Sequence, residues 1–309
     1  MKIFSYLLWA GRIGALFIMV FAQIGGAHSA PEPSQADALR AKYDSLKEKL
    51  AANQFHKPLY LDSNEKSEGV VGDMYAIINH PFTTVSTTLN LPENWCDILI
   101  LHFNVKHCRA LSADNTTILN VSIGKKHNQP LEKAYPVAFD YRVTEKTYNY
   151  LQVRLKADRG PISTRNYSII FEAIPLKNGH TFVHLAYSYS YGFVGNLALR
   201  TYLNTVGGDK VGFTIVDKRS DGGIIYIDGV RGIVERNTMR YYLAIEAFLN
   251  ALSMPPAAQL EKRLLDWFSA TERYPRQLHE MDKNTYLSMK YKEYARQQKT
   301  VHAIQPPFP

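Results

Sequence analysis

The middle of the chain alternates apolar and polar residues with period two, and this pattern limits the possible folds more than any other feature of the sequence. Val137, Phe139, Tyr141 and Val143 are apolar, with Asp140 and Arg142 among the residues between them. Leu151, Val153 and Leu155 alternate with Gln152, Arg154 and Lys156. Tyr167, Ile169, Phe171 and Ala173 form a third series, and Val183, Leu185, Tyr187 and Tyr189 a fourth. Successive strand side chains point to opposite faces, so each series specifies a strand with one dry face and one wet face. Strands of this kind build an antiparallel sheet covered on one side. The turns between them are short and polar, so sequential strands should pair as a meander.

An apolar sheet face needs a cover. The longest apolar helical pattern, 234–252, offers one: Val234, Thr238, Tyr241, Ile245, Phe248 and Leu252 fall on one stripe, widened by Leu249. Ahead of the meander, 58–61 reads as a short extended piece and 70–78 as a strand ending at His80-Pro81. Residues 82–89 and 93–101 read as two short helices, with Pro92 able to start the second. A strand is expected at 118–123, a helix at 192–206 closed by Gly207 and Gly208, and strands at 210–216 and 224–227. Both flanks are helical and charged. Leu39, Tyr43, Leu46 and Leu50 are spaced for a helix over 38–52, and 259–298 is a helical segment interrupted at Pro275. The expected organisation is a leader over 1–30, a linker and helix over 31–65, the main domain over 66–254 and a helical extension over 255–309.

The N-terminus carries Lys2 and Arg12, an uncharged apolar run over 13–24, and then the small residues Gly25, Gly26, Ala27, Ser29 and Ala30. A bilayer span needs about 20 apolar residues, so this is read as a secretory signal cleaved near Ala27–Ala30, with an uncleaved anchor as the alternative. The expected location is therefore periplasmic or secreted. The two cysteines, Cys96 and Cys108, are then a plausible disulfide, with two free buried thiols as the other reading. Removing 1–30 leaves 34 basic against 28 acidic residues, a net charge of +6. The excess is spread along the chain without a basic stripe, which argues against a nucleic-acid partner. It suits anionic lipid head groups, or simply solubility.

The order of strand, two short helices, meander and long helix is similar to that of the START-like superfamily, also called SRPBCC or polyketide-cyclase-like. The residues carrying the resemblance are His80-Pro81-Phe82, Asn94-Trp95-Cys96, Gly160-Pro161 before a strand at Thr164, and Gly229-Val230-Arg231-Gly232. It covers about 69–252. The resemblance implies an α+β helix-grip fold, a curved antiparallel sheet wrapped around a long C-terminal helix. It also implies a hydrophobic ligand, lipid or sterol-like, held between the two. Members of such families also include cyclases, aromatases and hydrolases. Neither flank belongs to the common core, and export departs from the many cytosolic relatives.

Chemistry-bearing motifs are sparse. Ser63 and Lys66 match Ser-x-x-Lys without its companion motifs. His180 and His184 sit four apart on an expected strand, a spacing that suits metal on a helix, and neither metal nor cofactor is expected. For binding, the sheet-face tyrosines Tyr141, Tyr187 and Tyr189 and the helix residues Asn237, Arg240 and Tyr241 are the candidates. Arg165 joins them, since a guanidinium recognises a carboxylate or phosphate head in bidentate fashion. Ordinary core packing and buried structural pairs, such as Glu235 with a sheet arginine, are the competing readings of the same residues. Two further classes remain beside the carrier. One is an enzyme using a cavity tyrosine, histidine or glutamate. The other is an envelope-complex or membrane-surface module that docks through the C-terminal helices, where Leu264, Trp267 and Phe268 lie beside Lys262 and Arg263.

Overall fold

The computed structural model describes residues 34–114, 116–192 and 210–302. The leader lies outside these residues, as does the helix expected at 192–206 from position 193 onward.

The chain opens with helix α1 (Gln35–Ala51), capped by Ser34, whose hydroxyl oxygen accepts from the Asp37 amide at 3.2 Å. Strands β1 (Leu59–Lys66) and β2 (Gly69–Ile78) form a hairpin, followed by helices α2 (Phe82–Leu89) and α3 (Pro92–Leu99). A six-strand meander follows: β3 (Val105–Ala113), β4 (Thr116–Ile123), β5 (Tyr135–Lys146), β6 (Leu151–Arg159), β7 (Thr164–Pro175) and β8 (Thr181–Tyr191). All pair antiparallel, and β2 closes the sheet onto β8 from Gly69↔Ser190 to Ile78↔Thr181, giving the order β1-β2-β8-β7-β6-β5-β4-β3. The long helix α4 (Gly229–Asn250) lies across β1, β2 and β8. Helices α5 (Pro256–Thr271), α6 (Pro275–Leu278) and α7 (Lys283–His302) end the fold. This is the expected α+β helix-grip architecture.

The alternating residues are buried on the inner face as their period dictates: Val153, Leu155, Ile169, Phe171, Leu185 and Met74 are almost wholly enclosed. α4 approaches β2 closely at Gly72, where a Cβ would stand 2.5 Å from Thr238 Oγ1, so any larger residue would push the helix off the sheet.

Four elements depart from the sequence reading. The outer face of the sheet is not wet throughout. Leu39, Leu46 and Leu50 of α1 pack there against Ile174 and Phe182, making a second small core with Tyr150. β3 shows no alternation because its edge faces α7, which buries Lys106 as well as Cys108. The two late strands form a separate ribbon, β9 (Ile215–Lys218) with β10 (Ile224–Tyr226), the first starting later than the expected 210–216. Finally, α4 is buried on more than its apolar stripe, because α5 lies along its outer side and Trp267 Nε1 donates to the Arg240 carbonyl at 3.0 Å.

Cys96 of α3 and Cys108 of β3 form the expected disulfide, with a Cα–Cα distance of 5.1 Å. No helix among the described residues is long and apolar enough to cross a membrane.

Candidate functional site: a tyrosine-walled face under the long helix

The inner face of β7 and β8 presents Tyr167, Tyr187, Tyr189 and Tyr191 toward the N-terminal half of α4. Their rings touch in series: Tyr167 to Tyr189 at 5.5 Å between centroids, Tyr187 to Tyr189 at 5.8 Å and Tyr189 to Tyr191 at 6.2 Å. From the helix, Tyr241 meets Tyr187 edge to face at 5.3 Å and stacks on His102 at 5.1 Å. Such spacings are those of favourable aromatic pairs. Burial pushes the phenols of Tyr187, Tyr189 and Tyr241 above their ordinary range, so all are neutral hydroxyls at physiological pH.

Two details distinguish this wall from a filled core. Tyr241 is only half-buried, so part of its side chain is left uncovered by protein. The buried Tyr189 hydroxyl has no hydrogen-bond partner among the described residues. Its neighbours are served: Tyr191 donates to Glu65 Oε1 at 2.6 Å, and Tyr167 shares a 2.7 Å hydrogen bond with Thr164 Oγ1. An orphaned buried hydroxyl costs about 1–3 kcal/mol, so a polar group brought to it would be held at a gain.

The candidate residues named from the sequence do not all meet. Tyr187, Tyr189 and Tyr241 come together as described. Tyr141 lies on the inner face of β5 and donates to the Leu89 carbonyl at 3.4 Å, against the short helices. Arg165 stands on the exterior, its side chain 51% exposed and 3.5 Å from Glu68. Asn237 is half-buried beside Arg240, whose Nη1 lies 3.5 Å from its Oδ1. Arg240 turns away from the sheet toward the C-terminal segment, where Nη2 meets Glu280 at 2.5 Å and the Leu278 carbonyl at 3.4 Å. Glu235 does not pair with a sheet arginine. It accepts from Ser63 Oγ at 2.6 Å, from the Phe213 and Thr214 amides at 2.6 and 2.9 Å, and from Thr214 Oγ1 at 2.7 Å, fastening the 210–214 segment to α4.

Tyr167 belongs to the same alternation as its neighbours and was legible as part of the wall. His102 had no such signal; the turn after α3 places it. Its Nδ1 accepts from the Asn104 amide at 3.1 Å, and burial, with the charges of Arg240, Lys290 and Lys126, holds its pKa well below the ordinary value. It is a neutral imidazole with its lone pair already engaged, able to donate through Nε2 and unsuited to act as a base.

The two histidines four apart do not act together. His184 points to the outer face, where it bridges Asp73 at 2.8 Å and Glu172 at 2.6 Å, while His180 sits in the turn before β8. A polar cleft of about 380 Å³ opens between α4 and α5, outside the sheet–helix space. Its Lys57 and Glu246 neutralise one another at 2.7 Å, and its Asp266 is paired with Lys262 at 2.7 Å.

No family model and no curated protein matches this chain. Solved structures do. A conserved protein from Geobacillus kaustophilus is 13% identical, over 58% of this chain and 95% of its own, with a TM-score of 0.34. Norcoclaurine synthase from Thalictrum flavum is 10% identical, over 48% and 77%, with a TM-score of 0.31. Human StAR-related lipid transfer protein 5 is 8% identical, over 55% and 89%, with a TM-score of 0.29. Similarity this weak adds nothing to the α+β helix-grip architecture, which rests on the strand order and the gripped helix.

Proposed function

We propose that this protein binds a hydrophobic, lipid-like ligand between the sheet and α4, and that it does so outside the reducing cytoplasm. The observation that carries the reading is the buried tyrosine wall, with part of Tyr241 left uncovered and an unpartnered hydroxyl on Tyr189 among the described residues. Aromatic faces remove a greasy ligand from water, worth about 25 cal/mol per Å² of apolar surface buried, and the spare hydroxyl fixes its polar atom. A carrier needs no more than this. The Cys96–Cys108 bond supports an oxidising compartment, in keeping with the export signal expected from the N-terminal sequence.

Organic extraction of the purified protein, followed by mass spectrometry, tests the reading: a lipid should co-purify. The neutral probe N-phenyl-1-naphthylamine should gain fluorescence on binding, and Tyr241→Trp, which puts a bulkier side chain between helix and sheet, should weaken its affinity about tenfold, or ~1.4 kcal/mol. An extracted protein that is empty and binds neither the probe nor any lipid class overturns it. N-terminal sequencing of the secreted form should find a start between His28 and Pro31.

A further inference from the structure

We propose that a second, separate hollow, between the turn after α1, the β9–β10 ribbon and α6, binds a small aromatic carboxylate. The ring lies among Phe55, Phe213, Tyr226 and Tyr274, and the carboxylate on Arg273. Four stretches of chain converge there: 54–55 after α1, Phe213 ahead of β9, Tyr226 at the end of β10, and 273–277 around the start of α6. Gln54 Nε2 donates to the Phe213 carbonyl at 2.7 Å, and the Tyr274 hydroxyl to the Phe55 carbonyl at 3.4 Å, so the walls are fixed before a ligand arrives.

The walls suit one ring. Phe55, Phe213 and Tyr274 meet one another with centroids 5.7, 6.1 and 5.4 Å apart, two of the three contacts being edge to face. A guest ring extends that arrangement with further favourable aromatic pairs. The hollow holds about 190 Å³. An apolar cavity of about 150 Å³ takes a benzene ring, so the space suits a single ring with a short side chain.

The polar side of the hollow is positive. Arg273 and Arg276 line it, and no acidic side chain does. Arg276 lies over the Tyr226 ring at 5.0 Å, and its Nη1 donates to the Ile224 carbonyl at 3.4 Å. Arg273 is exposed and makes no hydrogen bond or ion pair with any described residue. The adjoining cleft between α4 and α5 shares Arg273 and does contain Glu246 and Asp266, but Lys57 and Lys262 already meet them at 2.7 Å. Gln277 also lines the hollow. It is only 6% exposed, yet its side-chain amide has no hydrogen-bond partner among the described residues. Leaving a buried amide unpaired is costly. A carboxylate seated on the Arg273 fork matches both of that fork's donors and accepts from the Gln277 amide as well.

Isothermal titration of the purified protein and of Arg273→Gln with 3-phenylpropanoate, 3-phenyl-1-propanol and 3-cyclohexylpropanoate tests this. Arg273 is exposed, and an unchanged melting temperature verifies the variant's fold. The wild type should bind 3-phenylpropanoate about tenfold or more tightly than the alcohol, a preference that shrinks as salt rises. It should also favour the phenyl acid about threefold over the cyclohexyl acid. In Arg273→Gln the acid should fall to the level of the alcohol, whose own affinity is unchanged. Saturating the tyrosine wall with N-phenyl-1-naphthylamine should leave the titration unaltered. Absence of binding by the acid, equal binding of acid and alcohol, or an undiminished preference in the variant overturns the site. Equal binding of the two acids overturns the aromatic class. Competition between the acid and the naphthylamine probe overturns the separation of this hollow from the tyrosine wall.

Discussion

Tyr189 and Tyr191 share a strand face, yet their hydroxyls differ in what replacement should do. Tyr191→Phe breaks a 2.6 Å bond to Glu65 and should cost about 1–3 kcal/mol. Tyr189→Phe removes a buried hydroxyl that has no partner among the described residues and should leave stability unchanged or raise it by up to ~1 kcal/mol. Urea unfolding of the two variants compares them directly. His184 makes a pH prediction. Burial disfavours its charge, but the bonds to Asp73 and Glu172 and their charges prevail and raise its pKa above 6.5. Glu172 is likewise opposed by burial, and the bonds from His184 and Tyr150 prevail, lowering its pKa below 4.5. A raised histidine pKa gives stability that is complete below about pH 6.5 and is lost as pH rises through the folded value. A lowered carboxylate pKa gives stability that is complete above about pH 4.5 and is lost as pH falls through its folded value. Unfolding midpoints should therefore decline above neutrality, and His184→Gln should flatten that decline; an identical pH profile in wild type and variant would contradict the bridge.

Among the elements, β3 is the one most dependent on its neighbours. It is an edge strand, and a bare edge is a site of unwanted pairing. Helix α7 covers it with side chains: Gln297 Oε1 accepts from the Cys108 amide at 2.9 Å, and Arg296 Nη2 donates to the Lys106 carbonyl at 2.9 Å. Lys290 donates to the His102 and Val105 carbonyls at 2.6 and 2.8 Å, and both it and Lys106 pair with Glu293, at 2.7 and 3.0 Å. Burial pushes Lys290 down to about 8, with Glu293 acting to keep it charged. Glu293→Gln leaves two enclosed ammonium groups without their counter-charge and should cost about 3–5 kcal/mol in equilibrium unfolding. On the other side of the same strand, the disulfide to α3 closes a short loop. Replacing both cysteines by serine should cost about 3 kcal/mol on the chain-entropy account, seen as a fall in urea midpoint to the level of the reduced wild type.

For the molecule as a whole, the C-terminal helices behave as structure rather than as a detachable docking arm. α5 buries Trp267 and Phe268 against the core, and Tyr286 of α7 donates to the Leu101 carbonyl at 3.0 Å. A chain ended after Pro255 should lose those contacts together with the cover over β3. It should be recovered insoluble or without cooperative unfolding, and a soluble, cooperatively melting fragment would refute this. The amphipathic Trp267 helix therefore spends its apolar side on this protein, which answers what its pattern alone left open between packing and a membrane surface.

Much of the fold could be read from the sequence because it is local. Alternation in 137–189 sets which side of each strand is dry, the stripe on 234–252 identifies the gripping helix, and two cysteines twelve residues apart suggest their own bond. These properties depend on the pleat, the helical turn and short loops, all fixed by residues close in sequence. The polar partners were not legible in the same way. Arg240 meets Glu280 forty residues later, Lys126 reaches the same carboxylate from the loop after β4, and Glu235 takes its donors from Ser63 and from 213–214. Nothing in a charged residue's local pattern says which distant charge it will meet, since that is set by how whole elements pack. The sequence by itself determined the sheet, its dry face and the helix laid against it. Only the tertiary structure decided which hydroxyl is left without a partner and which distant groups the buried charges meet, because both follow from how whole elements pack.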